Sequence, residues 1–335
     1  MANHYPGIRP AGFFLICTVV LISVAHAQSL QTPIVMRFGG DCLLAAHYEA
    51  AAGNDVGRAF ENFSILKDAD IAMVNLECPV TTRGHKVEKP FNFRMNPRFL
   101  TALLNTGINI VNIANNHIFD YGSEGLFDTI SYLDSIGIQH VGGGRTKAEA
   151  QQPVIIDVRG VRIGFLAYYG GGEAPTATKS GPGVARRDIG LIGSTIRTLK
   201  TRDSVDFVVV NLHWGTEKAD SPDGSQRMFA HQVIDAGADA LIGHHPHVLQ
   251  GIERYKKGVI VYSLGNFIFG GNNRSTYDTG LFEIRLANDS VEYGFIPVGI
   301  RAWKATLLSG GEATSVVTQV TRLSAVFPQS IFTKQ

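Results

Sequence analysis

The 335-residue chain carries 30 Lys and Arg against 29 Asp and Glu, with 44% hydrophobic residues, 18% charged residues and 37 glycines. A formal charge of +1 excludes bulk attraction to nucleic acid or an anionic membrane, so any recognition of charge must be local. The composition also excludes a disordered or fibrous chain and fits a loop-rich α/β protein with a large core.

Residues 1–27 read as a secretory signal: Arg9 precedes an apolar run from Ala11 to Ala25, and Ala25-His26-Ala27 has the small-x-small form of a cleavage site. The run is short for a membrane span. Cleavage and export to a periplasmic or extracellular location are therefore expected, with membrane anchoring where the signal stays uncleaved. Cys17 follows Ile16, which does not suit a lipoprotein site, so no lipidation is expected. Two cysteines remain, Cys42 and Cys78, each directly after an acidic residue. A disulfide between neighbouring strand ends and a pair of buried thiols both fit that placement.

The mature chain opens with an apolar run, 33–38, that stops at Gly39-Gly40-Asp41 and predicts a strand ending in a turn. Helical spacing over Val56 to Leu66 precedes a second apolar run that begins at Ile71 and again ends on a carboxylate, Glu77. The segment from Arg83 to Arg94, with His85, Lys86 and Lys89, reads as a solvated loop or as an anion-binding lid. A helix after Pro97 ends at Gly107, and the strand from Ile108 to Ile113 runs into Asn115-Asn116-His117. Ser123 is the expected cap of a helix bearing Leu126, Ile130, Leu133 and Ile136.

Val154 to Val158 and Val161 to Ala167, joined by Arg159-Gly160, predict a hairpin and hence a mixed sheet. Gly170-Gly171-Gly172-Glu173 lacks the spacing of a known phosphate loop and reads as mobile. A strand over Val205 to Leu212 delivers His213-Trp214-Gly215-Thr216-Glu217. A helix over Gln226 to Ala236 leads to the strand 238–242 and the histidine turn His244-His245-Pro246-His247. The run from Val259 presents Asn266, and Gly280 to Leu286 with Val291 to Ile300 predicts an antiparallel pair. With no internal repeat and no isolating linker, residues 33–325 read as one domain and 326–335 as a tail.

Taken together, Asp41, Glu77, Asn116-His117, His213 and His245-x-His247 each close an apolar strand, the edge where α/β sheets place their sites. Carboxylates, an amide oxygen and imidazoles form a mixed oxygen and nitrogen set suited to one or two divalent ions, with Mn²⁺, Zn²⁺ or Fe favoured over Ca²⁺ or Mg²⁺. Phosphoester hydrolysis is the chemistry such a pair supports. His117 would then donate a proton to the leaving group, oriented by Asp120. Asn75 and Glu217 are expected to brace the ligands and Asn266 to serve a loop backbone near the site, with Trp214 as a pocket wall and Lys89 and Arg94 in contact with substrate.

Gly40-Asp41, Asn75-Leu76-Glu77, Ala114-Asn115-Asn116-His117-x-x-Asp120-Tyr121-Gly122, His213-Trp214-Gly215-x-Glu217, Gly243-His244-His245-Pro246-His247-Val248 and Tyr262-Ser263-Leu264-Gly265-Asn266-Phe267 resemble the CapA family of poly-γ-glutamate capsule synthesis proteins. That family's domain is similar to the calcineurin-like metallophosphoesterases, and the likeness covers residues 34–269. The resemblance implies an α/β, metallophosphatase-like β-sandwich of mixed sheets flanked by helices. It also implies a part in making or exporting an anionic capsule polymer, as a metal-dependent hydrolase or as a non-catalytic, polyanion-binding scaffold. Partners would be the polymer or a phosphoester substrate and the capsule machinery, with neither nucleic acid nor a membrane span after signal cleavage.

Carried over by motif, Asp41, Glu77, Asn116, His213, His245 and His247 take the metal positions, Glu77 as the bridge, and His117 takes the catalytic one. Leu43 departs from that pattern, which has a histidine there. One metal position is then filled out by water or by His244, or is left empty.

Overall fold

The protein is described by a computed structural model covering Met1, residues 32–287 and residues 290–332. The expected signal, with Cys17 and its cleavage site, lies outside the described residues. Among the described residues no helix is long and apolar enough to cross a membrane.

The first apolar run forms the strand Ile34–Leu43, and eight of its ten residues are buried without interruption from Met36. A strand buried on both faces needs apolar residues at every position rather than at alternate ones. It pairs in parallel with Ile71–Leu76 on one side and antiparallel with Tyr277–Leu286 on the other, through Phe38. Beyond Gly40 the second partner changes: Asp41 now sits opposite Asn266, on the parallel strand Asn266–Phe269. The sheet continues through Ile110–Asn112 to Gln139–Val141 at one edge and through Val291–Arg301 to Lys304–Leu307 at the other. This eight-stranded sheet carries Asp41 and the segments that follow two of its parallel strands.

The second sheet has six strands in the order Ile252–Tyr255, Gly258–Val261, Ala240–His244, Phe207–His213, Val161–Tyr169 and Val154–Val158. Its side chains alternate between two cores, as the period of two requires. Ile163, Phe165, Val209, Ile242 and Val261 belong to the cluster shared with the first sheet. Leu166, Val208, Val210, Leu241 and Ile260 pack instead with Ile192, Ile196, Leu199, Ala230 and Val233, contributed by the helices Ile189–Thr201 and Gly224–Asp235. The expected α/β sandwich of mixed sheets with flanking helices is the architecture observed.

The hairpin at Arg159-Gly160 forms as expected, both residues at positive φ of 52° and 85°. Two local expectations fail, and two helices are unexpected. Val56 to Leu66 holds two short 3-10 turns, Arg58–Phe60 and Ile65–Asp68, separated by Asn62 at φ 60°, a left-handed residue that breaks any continuous helix. The helix at 122–136 begins at Gly122 after Tyr121, which makes no capping side-chain bond, so Ser123 lies inside its first turn. The helices Ile189–Thr201 and Gly310–Ser324 were not anticipated. The first is capped by Asp188, whose carboxylate accepts from Leu191 N at 2.8 Å, and it buries Ile192, Ile196 and Leu199.

Candidate metal centre

On the first sheet the donors are oxygens held by amides. Asp41 is fully buried; its backbone N–H donates to Gly265 O at 2.9 Å, which leaves the carboxylate projecting from the strand end. Asn75 is the hub beneath it: its amide nitrogen donates to Asp41 Oδ1 at 2.8 Å and lies 3.2 Å from both Glu77 Oε2 and His213 Nδ1. Its oxygen accepts from Asn112 at 3.0 Å and Asn115 at 3.1 Å. Such a network fixes its carboxylates without neutralising them.

The two acids respond differently. Burial pushes Asp41 upward, but the hydrogen bond and charge of His247, with His244 and His213 nearby, outweigh it and hold the carboxyl well below its ordinary range. Burial and the adjacent Asp41 charge drive Glu77 well above its own.

On the second sheet the donors are nitrogens. Phe207–His213 and Ala240–His244 pair in parallel with His213 opposite His244, so both rings share the face turned toward the first sheet. His213 Nε2 lies 2.8 Å from Asn116 Oδ1 and 3.6 Å from Glu77 Oε1. The chain then turns at His245 and His247, both at positive φ of 99° and 57°, a backbone state that non-glycine residues adopt at a cost of order 1–3 kcal/mol and that concentrates at functional sites. His247 Nδ1 meets Asn266 Oδ1 at 2.8 Å and Asp41 Oδ2 at 3.2 Å, while its Nε2 lies 3.6 Å from Glu77 Oε1. Burial lowers the pKa of His213, of His244 to about 4, and of His245.

Three sets of groups bring one ligand atom each within 4.8 Å of one another: Glu77, His213 and His245; Asp41, Glu77 and His247; and Glu217, His245 and His247. Their fit to a divalent ion is tested by the buried polar atoms that lack hydrogen-bond partners. Glu77 Oε1, His245 Nδ1 and both ring nitrogens of His244 are such atoms. Orphaned donors and acceptors cost about 1–3 kcal/mol each, and their concentration in one cluster is what an ion-binding cavity requires. Mixed carboxylate and imidazole donors suit Mn²⁺, Zn²⁺ or Fe.

Beside this cluster, His117 Nδ1 is 2.7 Å from Asp120 Oδ2. Phe93 N donates to the same oxygen at 2.7 Å, and its ring lies 4.7 Å from that of His117. Lys89 forms an ion pair with Asp120 and donates to Asn116 O at 2.9 Å. The basic segment thus closes over the His117 side of the site, although only part of it does so. Arg94 lies over the Tyr121 ring at 4.4 Å, and Arg83 pairs with Asp128 at 2.5 Å on the helix 122–136.

Several sequence readings change here. Trp214 is not a pocket wall: it lies in the helix-side core, stacked on Tyr262 at 6.3 Å, because it follows His213 and alternation turns it to the opposite face. Asn266 bonds the His247 ring instead of loop backbone. Cys42 and Cys78 are free, buried thiols, and burial raises Cys42 to about 12 and Cys78 well above its ordinary value. Leu43 lies in the core and is opposite Phe269. The glycine-rich loop is tied in, since Glu173 N donates to Tyr169 Oη at 3.3 Å and its carboxylate accepts from Asn116 Nδ2 at 3.2 Å. Asn112, Asn115 and Phe93 were missed as supports. Amides at the end of an apolar strand are the visible signal for Asn112 and Asn115; Phe93 carries none.

Two stacked mixed sheets with helices outside, and carboxylate and histidine donors at the strand ends, define a fold of the metallophosphoesterase type. A putative 5′-nucleotidase from Staphylococcus aureus, solved with α-ketoglutarate, superposes with a TM-score of 0.50 at 15% identity, covering 87% of this chain and 58% of that one. The family model described as bacterial capsule synthesis protein PGA_cap matches residues 35–271, and the chain belongs to that family. The capsule biosynthesis protein CapA of Bacillus anthracis is 32% identical over 296 residues, 85% of this chain and 71% of that protein. The PGA biosynthesis protein CapA of Bacillus subtilis is 31% identical over 298 residues, 84% and 78% respectively.

Proposed function

We propose that the protein is an exported metal-dependent hydrolase that cleaves a phosphoester, or a linkage of an acidic polymer, during synthesis or export of a poly-γ-glutamate capsule. The observation that carries this reading is the group of unpartnered, buried ligand atoms around Glu77 with the His117–Asp120 pair beside it. Glu77, His213, His245 and the Asn116 oxygen would hold one ion; Asp41, Glu77 and His247 would hold the other, with Glu77 as bridge. Bound there, the ions would supply positive charge to polarise an ester oxygen and activate water. Asp120 orients the His117 ring through Nδ1, leaving Nε2 to move a proton. Phe93 and Phe269, the latter 4.7 Å from the His247 ring, flank these rings with apolar surface.

Protein loaded with Mn²⁺, Zn²⁺ or Fe²⁺ is expected to hydrolyse a nitrophenyl phosphomonoester or phosphodiester, and His117→Ala to lower turnover about 10²–10⁴-fold. Metal-replete protein without turnover on these esters or on γ-glutamyl oligomers would remove catalysis from the proposal. Buried Leu43 favours a second reading, a non-catalytic scaffold that holds polyanion through its metal, because it leaves one position short of a nitrogen donor. Saturable binding of γ-glutamyl oligomer without turnover is its signature. Export is tested by N-terminal sequencing of protein recovered outside the cytoplasm, which should begin near Gln28.

A further inference from the structure

Glu217 is the one carboxylate of the cluster that stands exposed, and its oxygen groups with ring nitrogens of His245 and His247 within 4.8 Å. Among the described residues it makes no hydrogen bond and no ion pair; its influence is on charge, raising Glu77 and drawing on His245. Its position is nevertheless fixed. The turn that bears it uses Gly215 at φ 95° and Lys218 at φ 62°, Lys218 N donates to Pro246 O at 2.9 Å, and Gln250 Nε2 donates to Ala219 O at 2.8 Å. The His245-Pro246-His247 turn and the Glu217 turn are thus laced together, and Glu217 is held over the two histidines without any side-chain contact of its own.

Each neutral imidazole offers one ring lone pair, so His245 and His247 cannot each serve two ions at once. Glu77, with two oxygens, can bridge. The sets Glu77–His213–His245 and Asp41–Glu77–His247 therefore coexist, whereas Glu217–His245–His247 is not a third ion's site but an added donor for one of these two. An ion on the Asp41 side would have three protein donors, with Leu43 at the position where the resemblance expects a fourth, whereas an ion on the His213 side would have Asn116 as a fourth. An exposed carboxylate without a countercharge, placed above the buried Glu77, is a repulsion that a cation between them reverses.

We propose that Glu217 is a metal ligand that completes the ion held by Asp41, Glu77 and His247, entering from the second sheet in place of the nitrogen that Leu43 cannot supply. This rests on the reading of the cluster as a metal centre and revises the expectation that Glu217 only braces the ligands.

Mn²⁺ titration by calorimetry, with elemental analysis of the gel-filtered protein, tests it. Wild-type protein should hold two ions. Glu217→Gln should keep the tighter ion and weaken the other at least tenfold, while the distant surface variant Glu292→Gln keeps both. Because Glu217 is exposed, Glu217→Gln should fold normally, and its ion-free form should melt no lower than wild type. Retention of two ions by Glu217→Gln with dissociation constants within twofold of wild type overturns the inference and leaves the metal centre standing. A wild-type chain that holds a single ion also overturns it, since the ligand belongs to a second. A wild-type chain that holds none removes both.

Discussion

The two halves of the site are built on opposite principles. The first sheet supplies oxygens from Asp41, Glu77 and Asn116, and Asn75, itself bonded to Asn112 and Asn115, holds Asp41 and Glu77 in place with Glu77 Oε1 left open. The second sheet supplies nitrogens, and there the hydrogen bonding is incomplete: both nitrogens of His244 and one of His245 are without partners, on a turn with two left-handed residues. The oxygen half is a preassembled floor. The nitrogen half is a strained turn whose His245 ring would gain a partner from an ion, which would link metal binding to the order of that turn.

The largest expected break of this contrast is on the oxygen side. Asn75→Ala strips hydrogen bonds from buried Asp41, Glu77, Asn112 and Asn115 together, and with about 1–3 kcal/mol for each group left unsatisfied the loss should be at least 3 kcal/mol. Urea denaturation of the ion-free variant measures it; a loss under 1 kcal/mol would mean that the floor is not preassembled.

Acid should act on the nitrogen side next. In the ion-free protein the unfolded chain takes up protons at His213, His244 and His245 near pH 6.5, whereas the folded chain resists at His244 down to about 4 and at the other two below their ordinary value. The unfolded state then binds more protons, so stability falls as pH drops from about 6.5 to about 4, by about 3 kcal/mol for His244 alone. Glu77, raised by burial, works in the opposite direction, since the folded form keeps its proton where the unfolded form has lost it, but it is one group against three. Melting temperature against pH, with and without Mn²⁺, reads this directly. An ion-free protein equally stable at pH 6.5 and 4.5 would contradict it.

The smallest effect separates ligand from support. Asn266→Ala frees the Nδ1 side of His247 without touching a ligand atom, and metal affinity should fall about 10–100-fold with little change in ion-free stability. Calorimetric Mn²⁺ titration distinguishes this from a purely structural role, which would lower stability and leave affinity alone.

Much of this arrangement was legible in the chain itself, because each donor ends an apolar run and a parallel strand must deliver its last residue to one edge. Asp41, Glu77, His213 and the histidine turn follow from that rule alone. What escaped was tertiary. Phe93 reaches His117 and Asp120 across 24 or more residues of sequence, and nothing local distinguishes it from Phe91. Trp214 adjoins a ligand in sequence, but strand alternation turns it away into the helix-side core. A serine near a helix start reads as its cap, whereas at Ser123 the turn at Tyr121 and Gly122 sets the boundary before it.

The change of strand partner at Gly40 bears on how such a site diverges. A methyl group there would lie 1.9 Å from Gly265 O, so the backbone seam that presents Asp41 admits no side chain at all. Leu43, two residues beyond Asp41, fits the core without disturbing that seam. Spacing is guarded by the main chain and chemistry is left to interchangeable tips, so a lineage carrying this frame is free to trade one metal donor for another long before it is free to move the frame.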